Sequence, residues 1–314
     1  MAARVGELSF ASGRSVIVTS TCIKDNRLPI WPRELMRREA AVKINFAPGL
    51  HVAPGQTANA SAYYRWTGRW SRLFVPAVIS AAEVAPGCRV LDISTGTGEA
   101  ALMALPAVGV SGVVIGADIA PAMLVGARDR LKDPLFCPVA ADGQALPFKS
   151  STFDAVICQL GLQFFPDPAR GLAEFHRVLR SGCCAAVCVI STPDRAPMWG
   201  VLADVLSRFV PEQRDLLHLS FALSDANRLE HMLASAGFRD VRVERVQRED
   251  TIGSFDEYWD PIYAGMGSMP QIYVALPEID RRAVREEVKS RLSPFESNGH
   301  LVMSIEMLIG IGRA

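Results

Sequence analysis

From about residue 60 onward the chain alternates short, uninterrupted apolar runs with longer stretches in which apolar residues recur every three or four positions. Continuous apolar runs suit strands buried on both faces, and the three-to-four period suits helices packed on them, so the pattern predicts βα units feeding a parallel sheet. Strands are predicted over 89–94, 113–118, 136–140, 155–159 and 184–190. Ser224 and Asp225, followed by Leu229, Met232, Leu233 and Ala236 at helical spacing, predict a capped helix that Gly237 stops. A strand over 241–246 follows, and 301–311 supplies the last one. Residues 250–300 then form an insertion between the final two strands. Its Tyr258, Trp259, Tyr263, Tyr273 and charged helix over 280–292 are too aromatic and apolar for a disordered linker, and it reads as a helical lid. The expected α/β fold is a seven-stranded, mostly parallel sheet with helices on both faces. Its parts are a poorly ordered leader (1–45), a core with N-terminal covering helices (46–249), the lid (250–300) and a final core strand (301–314).

Composition narrows the function classes. Lysine plus arginine equals aspartate plus glutamate at 33 each, so there is no basic field to draw the protein onto phosphate backbones, and nucleic acid is not an expected partner. The seven cysteines, Cys22, Cys88, Cys137, Cys158, Cys183, Cys184 and Cys188, include no C-x-x-C pair. That argues against a disulfide framework or zinc cluster. A soft-metal or arsenic site around Cys183, Cys184 and Cys188 is the functional alternative to packing as small hydrophobes, and packing is preferred. His51, His218, His231 and His300 show no ligand spacing, so no metal is expected. No apolar stretch reaches the roughly 18 residues of a membrane helix, and a soluble, cytoplasmic protein is expected. Residues 1–30 hold two acids, Glu7 and Asp25, and read as a loosely attached leader, with Met36 as an alternative start.

The chemistry is concentrated in Val90-Leu91-Asp92-Ile93-Ser94-Thr95-Gly96-Thr97-Gly98-Glu99-Ala100-Ala101, a strand that ends in a glycine-rich turn opening a helix. Glycine lets the backbone pass close to a ligand and adopt positive φ. Gly96, Gly98 and Ala101 also satisfy the dinucleotide fingerprint, so a nicotinamide-dependent oxidoreductase stands as one rival reading and a catalytically silent cofactor-binding or interaction protein as another. Asp118 ends the second strand 22 residues past Gly96, where a carboxylate accepts from ribose hydroxyls in either cofactor class. Asp142-Gly143 follows the third strand, where a carboxylate can accept from an adenine amino group. Asp118 and Asp142 could instead cap helices or satisfy turns. Asp154 begins a strand away from the ligand-bearing edge and reads as structural.

With Ser151-Thr152-Phe153-Asp154-Ala155-Val156-Ile157-Cys158-Gln159, then Leu160-Gly161-Leu162-Gln163-Phe164-Phe165, these ordered motifs resemble the class I S-adenosylmethionine-dependent methyltransferases, of the type that includes the ubiquinone and menaquinone biosynthesis C-methyltransferases. The resemblance covers roughly residues 60–190. It implies a Rossmann-like fold and S-adenosylmethionine as cofactor. It further implies that the turn carrying Asp92, Ser94, Thr95, Gly96 and Gly98 holds the methionine portion, Asp118 the ribose and Asp142-Gly143 the adenine. Ile119 and Met123 would then pack near the adenosine, and Gln159 and Leu160 would line the methionine side. Two departures are Ser94, where the family's first glycine usually stands, and Ser181-Gly182-Cys183 in place of a P-G-G turn.

Methyl transfer is an in-line displacement at a sulfonium carbon, so the protein mainly aligns an electron-rich atom and excludes water. No catalytic residue is assigned on this reading. The stretch Tyr63-Tyr64-Arg65-Trp66-Thr67-Gly68-Arg69-Trp70-Ser71-Arg72 resembles helices that cover the cofactor in some relatives, although Trp66 and Trp70 could equally anchor a helix to the core. Tyr63, Trp70, Phe164, Trp199, Tyr258 and Trp259 are the expected acceptor-lining residues, and a small hydrophobic or aromatic acceptor is the expected partner. The sequence leaves the methylated atom and the oligomeric state open.

Overall fold

The computed structural model describes residues 5–9, 15–19, 60–265 and 267–314, with side chains from residue 68 onward. In chain order the elements are β1 (Val5–Ser9), β2 (Ser15–Thr19), α1 (Ala60–Ala81), β3 (Arg89–Ile93), α2 (Glu99–Val108), β4 (Val113–Asp118), α3 (Pro121–Leu131), β5 (Phe136–Ala140), β6 (Phe153–Gln159), α4 (Pro168–Val178), β7 (Leu179–Ile190), α5 (Pro197–Phe209), α6 (Arg214–His218), α7 (Ala226–Ser235), β8 (Arg239–Ile252), α8 (Phe255–Tyr263), α9 (Ser268–Ala275), α10 (Glu278–Leu292), β9 (Glu296–Ser297) and β10 (His300–Arg313).

One sheet runs in the order β1-β2-β5-β4-β3-β6-β7-β10-β8, with β9 paired to β10. Strands β5, β4, β3, β6 and β7 are mutually parallel; β10 is antiparallel to β7 and β8 antiparallel to β10. Those seven strands are the expected Rossmann-like sheet, in which β10 alone is reversed. The strands form where the apolar runs lie because both faces are covered. Gly116 within β4 leaves room for the Phe136 ring, which a Cβ would approach to 2.6 Å. Successive residues of β10 feed opposite faces. Met307 and Ile309 join Trp70, Phe74, Trp199 and Tyr258 on one side, and Leu308 joins Leu172, Phe175, Leu229 and Leu233 on the other.

The helix signals act as their chemistry requires. Asp225 caps α7 by accepting from the backbone N–H groups of Asn227 (2.9 Å) and Arg228 (3.2 Å), and Gly237 ends it at φ +99°. Two segments of the expected leader, 5–9 and 15–19, are described. The backbone of β2 pairs with β5, Ile17 with Ala140 and Val18 with Val139, and β1 pairs with β2. A β-branched run, Val16-Ile17-Val18, meets the open edge of a sheet, whose unpaired N–H and C=O groups are a template for another strand. Cys22 and Met36 lie outside the described residues.

Among the described cysteines Cys137 is disulfide-bonded, and Cys88, Cys158, Cys183, Cys184 and Cys188 are free. Cys183 and Cys184 are neighbours on β7 and so point to opposite faces, while Cys188 lies about 13 Å along the strand from Cys184 at ~3.3 Å per residue. The three thiols therefore do not converge, and burial pushes Cys184 up to about 11 and Cys188 higher still. Among the described residues no helix is long and apolar enough to cross a membrane.

Candidate functional site

The glycine turn stands at the carboxyl end of β3, the middle strand in a row of five parallel neighbours. Ser94 leaves the strand at φ +56°, Gly96 follows at +54° and Gly98 at +83°. The first value accounts for the family's usual glycine at position 94: the left-handed region favours glycine, and serine occupies it only because the surrounding turn holds it there. Gly98 is fixed for a second reason, since a Cβ would stand 2.9 Å from Leu131 of α3. Leu160, at the end of the adjacent strand β6, also has positive φ, +56°, and its N–H donates to Cys188 O at 2.9 Å. Two of the seven non-glycine residues with positive φ among the described residues thus stand on adjacent strand ends, at the edge where ligands bind in open α/β sheets.

Carboxylates surround the turn in distinct settings. Asp118 is buried at the end of β4; Oδ2 accepts from Gly96 N and Oδ1 from Ala120 N, both at 2.8 Å, and burial pushes its carboxyl up. Each oxygen keeps a lone pair for a ligand hydroxyl. Asp142, half-buried beyond β5, accepts from Gln144 N at 2.8 Å and Gln144 Nε2 at 3.1 Å. Gly143 beside it lies under the Phe165 ring, which a Cβ would strike. Asp92 stands on β3, two residues before Ser94. It is fully buried beneath the turn and accepts from Thr95 Oγ1 at 2.6 Å, and burial drives its carboxyl up to about 7. Thr95 is committed to that bond. Met123 is buried and Ile119 half-buried at the start of α3, and Gln159 donates Nε2 to Ser71 O of α1 at 3.4 Å. Strands β5, β4, β3 and β6 therefore bring the expected cofactor residues to one edge, a set that fits a nucleoside with a flexible polar tail.

The expected acceptor residues separate. Trp70 and Trp199 meet edge to face at 5.0 Å, and Trp70 Nε1 donates to Asp250 Oδ2 at 2.8 Å. Phe164 is half-buried. Tyr258 is fully buried and donates its hydroxyl to Met198 O at 2.6 Å, and Trp259 stacks on Phe255 at 5.5 Å and meets Tyr273 edge-on at 5.1 Å. The insertion's inward aromatics are thus continuous with the core around α5, whereas Tyr263 is 66% exposed and faces outward. Tyr63 lies in α1, but its side chain and that of Trp66 fall outside the described residues. Asp154 accepts from Arg89 N at 2.8 Å and pairs with Arg180, a brace at the amino edge, as expected.

Two networks escaped the sequence reading. Buried Glu99, first residue of α2, accepts from Arg72 of α1 at 3.2 Å and Thr97 Oγ1 at 3.2 Å and pairs with Arg130 of α3 at 3.4 Å, so that one carboxylate ties three helices around the turn. Burial raises its carboxyl. At the far end of β8, Asp250 also accepts from Arg69 Nε at 2.8 Å, and Arg69 Nη1 reaches Glu257 of α8 at 2.6 Å. Arg69, Arg72 and Glu99 were present in the quoted motifs; nothing in the sequence paired them with residues 27 to 188 positions away.

Comparison with known proteins agrees with this geometry. A family model described as "Methyltransferase domain" matches residues 91–187. The ubiquinone/menaquinone biosynthesis C-methyltransferase UbiE of Teredinibacter turnerae is 32% identical over 194 residues, 56% of this chain and 77% of that protein. A demethylmenaquinone methyltransferase of Renibacterium salmoninarum is 32% identical over 186 residues, 56% and 75%. The crystal structure of a proposed methyltransferase from Bacillus halodurans shares the fold at a TM-score of 0.53 and 22% identity, over 76% of this chain and 97% of that one. The nicotinamide reading has no support in these matches. Identity of 32% over three quarters of the length of both relatives, with the family model spanning the strands that carry the turn, shows that the chain belongs to the class I S-adenosylmethionine-dependent methyltransferases, enzymes whose cofactor is S-adenosylmethionine.

Proposed function

We propose that this methyltransferase methylates a small hydrophobic or aromatic molecule that enters over the carboxyl ends of β6 and β7. The apolar, aromatic packing around Trp199 between α1, α5 and the insertion carries the reading: such surroundings suit an apolar ring and exclude water. The named activities of the two relatives, in quinone biosynthesis, support the same acceptor class. Bound S-adenosylmethionine supplies an electrophilic sulfonium methyl. The chain's part is to orient: Asp118 accepts from the ribose, Asp142-Gly143 borders the adenine with Ile119 and Met123 beside it, and Ser94, Thr95, Gly96 and Gly98 with Gln159 and Leu160 cradle the methionine end. Asp92 braces that cradle through Thr95. No nucleic acid is involved on this reading. A cytoplasmic location is supported by the five free thiols among the described residues.

The test is a thermal melt followed by a transfer assay. S-adenosylhomocysteine should raise the melting temperature and NADH should not, because a ligand that binds only the folded state stabilises by mass action. Labelled methyl should then pass to reduced quinols or phenols in preference to amines, nucleotides or phosphorylated acceptors. Transfer to charged acceptors alone would refute the apolar-acceptor reading while leaving the family intact.

A further inference from the structure

Gln163 lies in the single 3-10 turn Leu162–Phe164 after β6. It is 2% exposed, and neither Nε2 nor Oε1 has a hydrogen-bond partner among the described residues. A primary amide carries two donors and an acceptor with two lone pairs, and burying all of them unpaired is costly and rare in native cores. An apolar side chain of equal size would fill the same volume without that cost. The position is not a random one in the core. Gly161, two residues earlier, lies so near Ser94 of the glycine turn that a Cβ would collide with the serine side chain, and Leu160 is bonded to the end of β7. The turn also packs against β7 and the segment Leu219–Phe221. It therefore stands beside the cofactor cradle, between the glycine turn at Ser94 and the end of β7.

We infer that the Gln163 amide binds the methyl acceptor, taking a hydrogen bond from a ring hydroxyl and giving one to a neighbouring hydroxyl or carbonyl oxygen. This inference rests on the acceptor reading above and narrows it to a hydroxylated aromatic or quinol ring. The amide is neutral, so it matches neutral oxygens and would leave the charge of a carboxylate or phosphate uncompensated on burial. Its ability to give and take at once matches a ring whose oxygens do both. Gln163 acts by placing the ring against the methyl group; no proton transfer is assigned to it.

The experiment uses the full chain and two apolar replacements of similar volume, Gln163→Met and Gln163→Leu, with 1,4-naphthoquinol as acceptor probe. Without ligand, both variants should melt at or above the wild-type temperature, because two unpaired polar atoms have left the core. Titration should give S-adenosylhomocysteine affinity within about twofold of wild type, while kcat/KM for the quinol falls about 10- to 100-fold, the loss of one or two hydrogen bonds. Variants that melt lower, or that fail to fold, would show that the amide is structurally paired and overturn the inference. Undiminished quinol turnover would overturn it as well. A wild-type protein that binds S-adenosylhomocysteine but methylates no quinol refutes the ring class named here, whereas one that binds no S-adenosylhomocysteine refutes the proposed function beneath it.

Discussion

Replacing Asp250 by alanine should cost about 2–4 kcal/mol of stability. The carboxylate, 12% exposed, accepts from the fully buried Trp70 indole at 2.8 Å and from Arg69 Nε at 2.8 Å and Nη2 at 3.3 Å. A hydrogen bond to a charged acceptor is worth about 1.5–3 kcal/mol, chiefly because the indole N–H would lose this acceptor inside the core. The arginine pair adds less. Arg69 is 31% exposed and keeps Glu257 and Thr251 O as partners, so its contribution is discounted for solvent screening to about 0.5–1 kcal/mol. Urea unfolding followed by circular dichroism would read the change as a lower midpoint at unchanged slope. Asp250→Asn keeps an oxygen acceptor for Trp70 and should recover about half of the loss. A cost below about 0.5 kcal/mol for Asp250→Ala would refute the claim that this residue fastens α1 to the far end of β8.

Asp118→Ala should weaken S-adenosylhomocysteine binding by about 1–3 kcal/mol in calorimetric titration, and unchanged affinity in a folded variant would remove Asp118 from the site. Gly98→Ala should cost about 1–3 kcal/mol in thermal stability, since alanine at φ +83° is strained and its Cβ meets Leu131 at 2.9 Å. Burial raises the Asp92 carboxyl to about 7 from an ordinary value of 3.8, so its contribution is fully present below about pH 4 and is lost as pH rises through about 7. The stability of wild type relative to Asp92→Asn should fall across that window, and a flat difference from pH 4 to 7 would contradict the assignment. Replacing residues 250–300 by a glycine-serine link should unfold the protein rather than leave a cofactor-binding core, because Tyr258, Trp259 and Tyr273 are continuous with the apolar cluster around α5; a folded deletion variant that still binds S-adenosylhomocysteine would restore the separate-lid reading.

Local physics made much of this molecule legible before the chain was folded. Strands 113–118 and 136–140 were recognisable because a strand buried on both faces must be apolar at every position, and α7 because Asp225 and Gly237 act on backbone within one turn. The glycine turn, Asp118 and Asp142 were legible for the same reason: they follow strand ends at short, fixed distances along the chain, and the parallel order β5-β4-β3-β6 delivers those ends to one edge. Burial and distant pairing were not legible. Whether Asp92 meets a ligand or Thr95, whether Tyr258 lines a pocket or bonds Met198 O 60 residues away, and whether Tyr263 faces inward depend on which face an element presents once it is packed. The alternation of β10 into both cores, the pairing of 15–19 with an open sheet edge, and the union of Arg69, Trp70, Asp250 and Glu257 were decided by tertiary structure alone, because their energies come from partners that sequence spacing does not bring together.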